Sequence, residues 1–325
     1  MIKSLLASFY AILVMVICLV LYLYLGLPRQ NLAADIQVSQ TPEQVERGRY
    51  LVEHVAACDD CHSKRDWNFY GGPVIPPLGA GHECLSREEK IIGVRVQDDT
   101  IPGVLCIRNL TPDKRSGVGR WTDGELLRAI REGVDPNGHA VFPVMPYSVY
   151  KRFSDEDVSA VVAYMRQLPP VSSEWFGRGI EFPMGLLSQF WPEPLMWPII
   201  KPDIVSSAQY GSYLAAIGRC EHCHTVRRKF GRNLAPEGRF AGGVVFEVNG
   251  QEVVSSNLTP HESGLGNMSR AEFIAKFKSF SQPQKSPPEG NTPMNWTAYS
   301  GMTETDLGAI YDYLQTRRPV DTSSK

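Results

Sequence analysis

Cys58-Asp59-Asp60-Cys61-His62 decides how this chain is read, because the same pattern returns as Cys220-Glu221-His222-Cys223-His224. On a helix, residues at i, i+3 and i+4 share one face, so two thiols and an imidazole converge in each pentapeptide. This is the C-x-x-C-H pattern of covalent c-type haem attachment, in which the thiols take the porphyrin vinyl groups and the histidine takes the iron. A thiol-redox pair or half a zinc site uses the same cysteine spacing. Zinc, however, calls for a second C-x-x-C roughly 15–20 residues away or for histidines close downstream, and the chain has neither. Cys58, Cys61, Cys220 and Cys223 are therefore expected to carry two covalent haems, with His62 and His224 as proximal ligands.

Outward from the motifs, the chain repeats itself in order. Gly48, Tyr50, Leu51 and Val55 lead into the first motif, and Gly211, Tyr213, Leu214 and Ile217 lead into the second, one residue shorter. Thr41-Pro42-Glu43-Gln44 supplies a cap, a first-turn proline and a third-position glutamine for the first approach helix. Downstream, Phe69-Tyr70-Gly71-Gly72 is matched to Phe240-Ala241-Gly242-Gly243, and Asn109-Leu110-Thr111-Pro112 to Asn257-Leu258-Thr259-Pro260. Gly117-Val118-Gly119 pairs with Gly264-Leu265-Gly266, each followed by a capping box, Thr122 to Glu125 and Ser269 to Glu272. Met145-Pro146-Tyr147-Ser148-Val149-Tyr150 answers Met294-Asn295-Trp296-Thr297-Ala298-Tyr299, and closing helices follow, capped at Ser154 and Thr303. An ordered series of this kind is internal duplication.

The sixth iron position separates a carrier from an enzyme. A thioether there holds iron low-spin at a raised potential, whereas an open position admits peroxide or oxygen. Met145 lies in a proline-framed loop, Phe142-Pro143-Val144-Met145-Pro146, and Met294 occupies the same place in the second half. Met165 falls inside the closing helix and Met184 lies beyond the first half. Met302 competes with Met294 but aligns with Phe153, a packing position. Met145 and Met294 are the expected sixth ligands, and core filling is the alternative use of a methionine. His54, His82, His139, His222 and His261 are read as solvated or hydrogen-bonded, Trp121, Tyr147, Trp296 and Tyr299 as pocket walls, and Arg108 as a candidate propionate partner.

A hydrophobic share of 43% and a net charge of −2 describe a globular chain with no polyanion-binding character. From Leu5 to Leu27 no residue is charged, and such a run reaches roughly 34 Å, enough to cross a hydrocarbon core of about 30 Å. An uncleaved anchor over residues 1–30 is expected, with a removed signal peptide as the alternative; Leu32-Ala33-Ala34 is a poor cleavage site. Lys3 would remain cytoplasmic and everything after Arg29 would lie outside. Of seven cysteines, four sit in the motifs, Cys18 lies in the apolar run, and Cys84 and Cys106 remain as a disulfide pair or two buried thiols. The expected fold is all-α: the anchor, a first haem domain over 31–168, a Pro/aromatic-rich linker over 169–205 and a second haem domain over 206–325. The linker, with Trp175, Phe182, Phe190, Trp191 and Trp197 among prolines, is expected to pack along the haem domains; contact with a membrane or partner is the alternative.

Together the C-x-x-C-H motifs, the Gly-Gly and Asn-Leu-Thr-Pro segments, Gly-x-Gly before Trp121-Thr122-Asp123, and Met145-Pro146-Tyr147 resemble the class I cytochrome c domains of bacterial membrane-bound dehydrogenase cytochrome subunits. Those subunits serve alcohol, aldehyde and gluconate dehydrogenases. The resemblance covers nearly everything from 41 to 320. It implies periplasmic electron transfer at the inner membrane, from a dehydrogenase catalytic subunit toward a quinone, an oxidase or a small cytochrome of the respiratory chain. Such subunits typically carry three haems and a carboxy-terminal membrane segment, and a proline where this chain has Asn295. A diheme peroxidase or thiosulfate-oxidising enzyme is the alternative, and a membrane redox sensor would need more chain before the anchor.

Overall fold

The computed structural model describes residues 2–81, 84–85, 94–96, 101–173, 178–226, 238–286 and 290–323. His82 and Trp175 lie outside the described residues.

Helix α1 (Ile2–Leu25) is the apolar run, and no residue from Leu6 to Leu23 is buried against the rest of the chain. Its 24 residues amount to about 36 Å. In the first half follow α2 (Pro42–Tyr50), α3 (Asp59–His62), α4 (Asp123–Glu132), α5 (Tyr147–Tyr150) and α6 (Asp155–Gln167). After α7 (Met184–Leu187), the second half gives α8 (Ser207–Ile217), α9 (Cys220–Cys223), α10 (Arg270–Lys278), α11 (Trp296–Ser300) and α12 (Glu304–Gln315). The helix starts fall where the caps predict: Thr41, Ser154 and Thr303 accept from the third backbone N–H, and both capping boxes close.

The residue that separates the two approach helices is visible in the backbone. In the first half α2 passes at Leu51–Val55 into a π-helical turn, where the Ala56 N–H reaches back to the Leu51 carbonyl, whereas α8 runs regularly to Ile217. A single inserted residue is absorbed as a π-bulge without turning the apolar face away. Each approach helix then crosses its own closing helix at a glycine. A Cβ on Gly48 would stand 1.9 Å from the Ala160 carbonyl oxygen, and one on Gly211 1.8 Å from that of Ala309, so no other residue fits either crossing.

The two halves share one apolar core. Leu51, Tyr150, Phe153 and Val162 of the first half and Tyr213, Leu214, Met302 and Leu307 of the second belong to the same buried cluster. The contact is reciprocal: Tyr50 reaches Asp306 at the start of α12, while Tyr213 reaches Asp157 at the start of α6. Both phenols lie at matching positions of the repeat.

The all-α expectation needs correction, since three small sheets accompany the helices among the described residues. Strands β1 (Lys64–Arg65) and β2 (Val74–Ile75) form a hairpin. Strands β3 (Cys84–Leu85), β5 (Gly103–Cys106) and β6 (Arg178–Ile180) form the second sheet, with Cys84 opposite Cys106 and joined to it by a disulfide. The third runs β4 (Val94–Val96), β7 (Val245–Val248) and β8 (Gln251–Val254), so a strand from the first half pairs with one from the second. Its hairpin turns on Asn249-Gly250, both with positive φ, the sequence signature of a two-residue turn between β-branched strands.

The connector packs only in part. Ser188 is buried and Trp191 meets Phe142 edge-on, but Phe182, Met196, Trp197, Ile200 and Val205 stand out from the body.

Candidate haem sites

Each C-x-x-C-H motif forms one short helical turn, α3 or α9, directly after its approach helix. The residue before the first cysteine, Ala57 or Arg219, adopts positive φ, which turns the chain sharply into the motif. A tyrosine clamps the turn from the same half: Tyr150 donates to the Ala56 carbonyl at 3.3 Å, and Tyr299 donates to that of Gly218 at 3.1 Å.

The histidines are held alike. His62 Nδ1 lies 2.7 Å from the carbonyl oxygen of Arg108, and His224 Nδ1 lies 2.7 Å from that of Ser256. A carbonyl only accepts, so each Nδ1 carries the proton and each Nε2 keeps its lone pair. Burial reinforces this, driving the His62 pKa down to about 4 and lowering that of His224, so both imidazoles are neutral at neutral pH. Burial also pushes the Cys58 and Cys220 thiols up to about 12.

The acceptor carbonyls belong to the residues just before the two Asn-Leu-Thr-Pro segments, which gives those segments a purpose. Asn109 Oδ1 accepts from the backbone and hydroxyl of Thr111, while its amide donates to Ser116 Oγ and the Val171 carbonyl. Asn257 repeats every bond with Thr259, Ser263 and Val320. In each half, the asparagine thus pins the segment after the closing helix to the loop that carries the histidine's acceptor.

Hydrogen bonding also corrects one correspondence. The Gly242 N–H donates to the His224 carbonyl at 2.8 Å, and in the first half Gly81 makes that bond to His62. Likewise Phe240 bonds Thr225 Oγ1 and the Leu258 N–H, and Gly79 bonds Ser63 Oγ and the Leu110 N–H. The counterpart of Phe240-Ala241-Gly242 is therefore Gly79-Ala80-Gly81, not the segment around Gly71-Gly72. Gly-Gly is a weak marker where another glycine pair lies nearby.

The displaced Gly71-Gly72 segment braces the other half. The Gly71 N–H donates to Asn291 Oδ1 at 2.8 Å, and a Cβ on Gly71 would stand 2.6 Å from the Met294 carbonyl oxygen, at a φ of +74°. Arg65 donates to the carbonyls of Gly71 and Gly72 and, at 3.5 Å, to that of Pro293, with its guanidinium over Trp67. The Met294 loop is thus held by the first half.

Met145 and Met294 occupy equivalent, half-buried loop positions, each followed by a backbone bond from the second residue on to its own carbonyl, 2.9 Å in both cases. Met165 and Met302 are buried in the shared core, Met302 beside the helices as Phe153 is. Asn295 takes nearly the backbone φ of Pro146, −79° against −81°, so the loop survives the loss of proline. Its side chain replaces ring rigidity with bonds: Oδ1 accepts from the Ala298 N–H, and Nδ2 donates to Asp60 of the first motif. Asp60 also faces the Arg219 guanidinium at 3.6 Å, so a half-buried cation just before the second motif meets a carboxylate of the first.

The remaining histidines have other partners. His54 Nδ1 bonds the Ala298 carbonyl across the halves at 3.0 Å, His261 bonds Ser263, and His139 is exposed beside Asp135. Arg108 lies against the Trp121 ring at 4.9 Å. The histidines' acceptor carbonyls carried no side-chain signal in the sequence beyond their place before a repeated tetrapeptide.

The donor set fits a c-type haem in each half: paired neutral thiols, an imidazole with a free Nε2, and a methionine on a braced loop. No family model matches the chain. At the level of class, it resembles the cytochrome c subunits of bacterial dehydrogenases and diheme cytochromes c. In particular, it is 28% identical over 322 residues to the gluconate 2-dehydrogenase cytochrome c subunit of Pantoea cypripedii, covering 94% of this chain and 66% of that subunit. It is 27% identical over 313 residues to the cytochrome c subunit of alcohol dehydrogenase (quinone) of Gluconacetobacter polyoxogenes, 90% of this chain and 61% of that one. A diheme cytochrome c-type of Cereibacter sphaeroides is 28% identical over 224 residues, 67% of this chain and 68% of the relative. The chain thus spans about two thirds or less of the two dehydrogenase subunits.

Proposed function

We propose that this chain is a diheme cytochrome c, anchored to the periplasmic face of the inner membrane by α1, that passes electrons from a dehydrogenase catalytic subunit toward the respiratory chain. Cys58 and Cys61 hold one haem with His62 and Met145 as axial ligands; Cys220 and Cys223 hold the other with His224 and Met294. The haems supply reversible one-electron exchange between ferrous and ferric iron. The chain's own residues do the rest. Arg108 and Ser256 carbonyls fix the imidazole tautomer and plane. The two methionine loops, one framed by prolines and one braced by Gly71 and Arg65, keep the sixth position from opening to small molecules.

The observation that carries this reading is the duplicated site itself, since both halves offer the same histidine bond and the same methionine loop. An enzyme acting on peroxide would need one half to differ at the sixth position. The dehydrogenase partner is proposed from the relatives, which are subunits of gluconate and quinone-linked alcohol dehydrogenases.

The test is reduction of the haem-loaded protein in its own membranes by candidate dehydrogenase substrates such as gluconate and ethanol, followed in the visible bands. Reduction by one substrate, lost when the gene for that substrate's dehydrogenase is deleted, is expected. Haems that no substrate reduces but that turn over peroxide would contradict it.

A further inference from the structure

We propose that the connector between the halves rests on the lipid surface beside the exit of α1, so that the bilayer covers its exposed apolar side chains. This rests on the reading of α1 as a membrane-spanning anchor.

The argument starts at Asn31, six residues beyond the end of α1. Its side-chain amide donates to Glu132 Oε1 at 3.0 Å and to the Leu195 carbonyl at 2.9 Å. Its own N–H donates to Glu132 Oε2 at 3.3 Å, and Arg128 donates to its carbonyl at 3.2 Å. The chain leaving the bilayer is therefore fixed to α4 and to the connector together. Six residues span at most about 20 Å, so Leu195 is held within that reach of the helix end, give or take one side chain.

The residues around this anchorage are apolar and uncovered. Leu32 is 94% exposed, and on the connector Met196, Trp197 and Ile200 are 69%, 76% and 87% exposed. Their backbone is nevertheless tied down: the Ile199 carbonyl accepts from the Asp155 N–H at 2.9 Å, and Lys201 pairs with Glu156 at 2.9 Å. This is a fixed ledge of large apolar side chains, not a slack linker.

Lipid is the occupant this position favours. Taking side chains of this size out of water is favourable, and acyl chains supply the apolar cover. Tryptophan at headgroup depth is the usual arrangement where a chain leaves a bilayer. Exposed Arg29, between α1 and Asn31, adds a cation at the same level. A ledge held there also sets the tilt of both halves, and so the height at which the two C-x-x-C-H motifs face their partners.

The experiment uses the full haem-loaded chain in phosphatidylcholine vesicles containing a photoactivatable phosphatidylcholine, with peptide mapping of the adducts. Adducts on α1 and also on the peptide bearing Met196, Trp197 and Ile200 are expected. In Trp197→Glu the connector adducts should fall several-fold, with the α1 adducts and the haem spectrum unchanged. Adducts on α1 alone would overturn the inference while leaving the anchor in place, and would leave the ledge for a protein. Adducts on neither segment would overturn the anchor reading, and the inference with it.

Discussion

The Tyr50 hydroxyl donates to Asp306 Oδ2 at 2.6 Å across the boundary between the halves, and Tyr213, at the matching position, returns the bond to Asp157 Oδ2 at 2.7 Å. Each phenol also accepts from the backbone N–H of the residue that caps the helix it touches, Thr303 or Ser154. The contact is therefore an isologous interface built within one chain. Tyr50→Phe and Tyr213→Phe each leave a buried carboxylate short of a donor, and each should cost about 1–3 kcal/mol in denaturant unfolding. The haem spectra of both variants should be preserved.

Asp157 is fully buried and bound by Arg47 through two bonds of 2.9 and 2.8 Å. Burial alone would raise its pKa, but Arg47, aided by Tyr213, more than offsets that and holds the carboxyl below its ordinary value. A depressed carboxylate stabilises the fold fully above the unfolded pKa of about 3.9 and loses that contribution as pH falls through the folded value. Arg47→Met should cost about 3 kcal/mol at pH 7 by stranding the charge. It should also flatten the fall in stability below about pH 4, as read from unfolding midpoints across pH.

His54 carries a second acid sensitivity. Burial lowers its pKa, with the Ala298 carbonyl and Glu53 partly offsetting this. The neutral ring is favoured in the folded state, so its contribution is present above about pH 6.5 and declines as pH falls below it. His54→Gln should remove that decline below about pH 6.5, measured as the pH slope of unfolding free energy.

Gly71 lies in the first half yet limits the methionine loop of the second. Gly71→Ala forces a Cβ to within 2.6 Å of the Met294 carbonyl at a positive φ. The variant should lose methionine ligation at one haem only, halving the weak near-infrared band of thioether-bound ferric iron. Gly179→Ala, where a Cβ meets nothing within 4 Å, should leave the band intact.

The Arg219 guanidinium is half-buried beside the second motif and faces Asp60 of the first. A nearby cation disfavours ferric iron, so Arg219→Gln should lower at least one midpoint potential, on the order of tens of millivolts at an effective dielectric constant near 20. A spectroelectrochemical titration reads this directly.

What could be read beforehand followed local chemistry. Caps at Thr41, Thr122, Ser154, Ser269 and Thr303 announce helix starts because each satisfies backbone donors within three residues. The motifs are visible because one helical turn brings both cysteines and the histidine together. The missing residue before the second motif was legible too, though only the backbone shows that the first half absorbs its extra residue as a π-bulge at Leu51–Val55. Contacts between halves were not legible. Nothing local in Gly71 points to Met294, and Val94–Val96 becomes a strand only by pairing with Val245–Val248. The Asn249-Gly250 turn was a local signal for that sheet, and the all-α expectation passed over it.

The measurement that bears most directly on the central proposal is the optical and low-temperature EPR spectrum of the haem-loaded chain through a redox titration. Two low-spin haems, both with the near-infrared band of methionine ligation and neither binding cyanide or peroxide readily, are the expected result. A substantial high-spin signal, or one haem open to those ligands, would contradict ligation by Met145 or Met294 and favour an enzyme over a carrier.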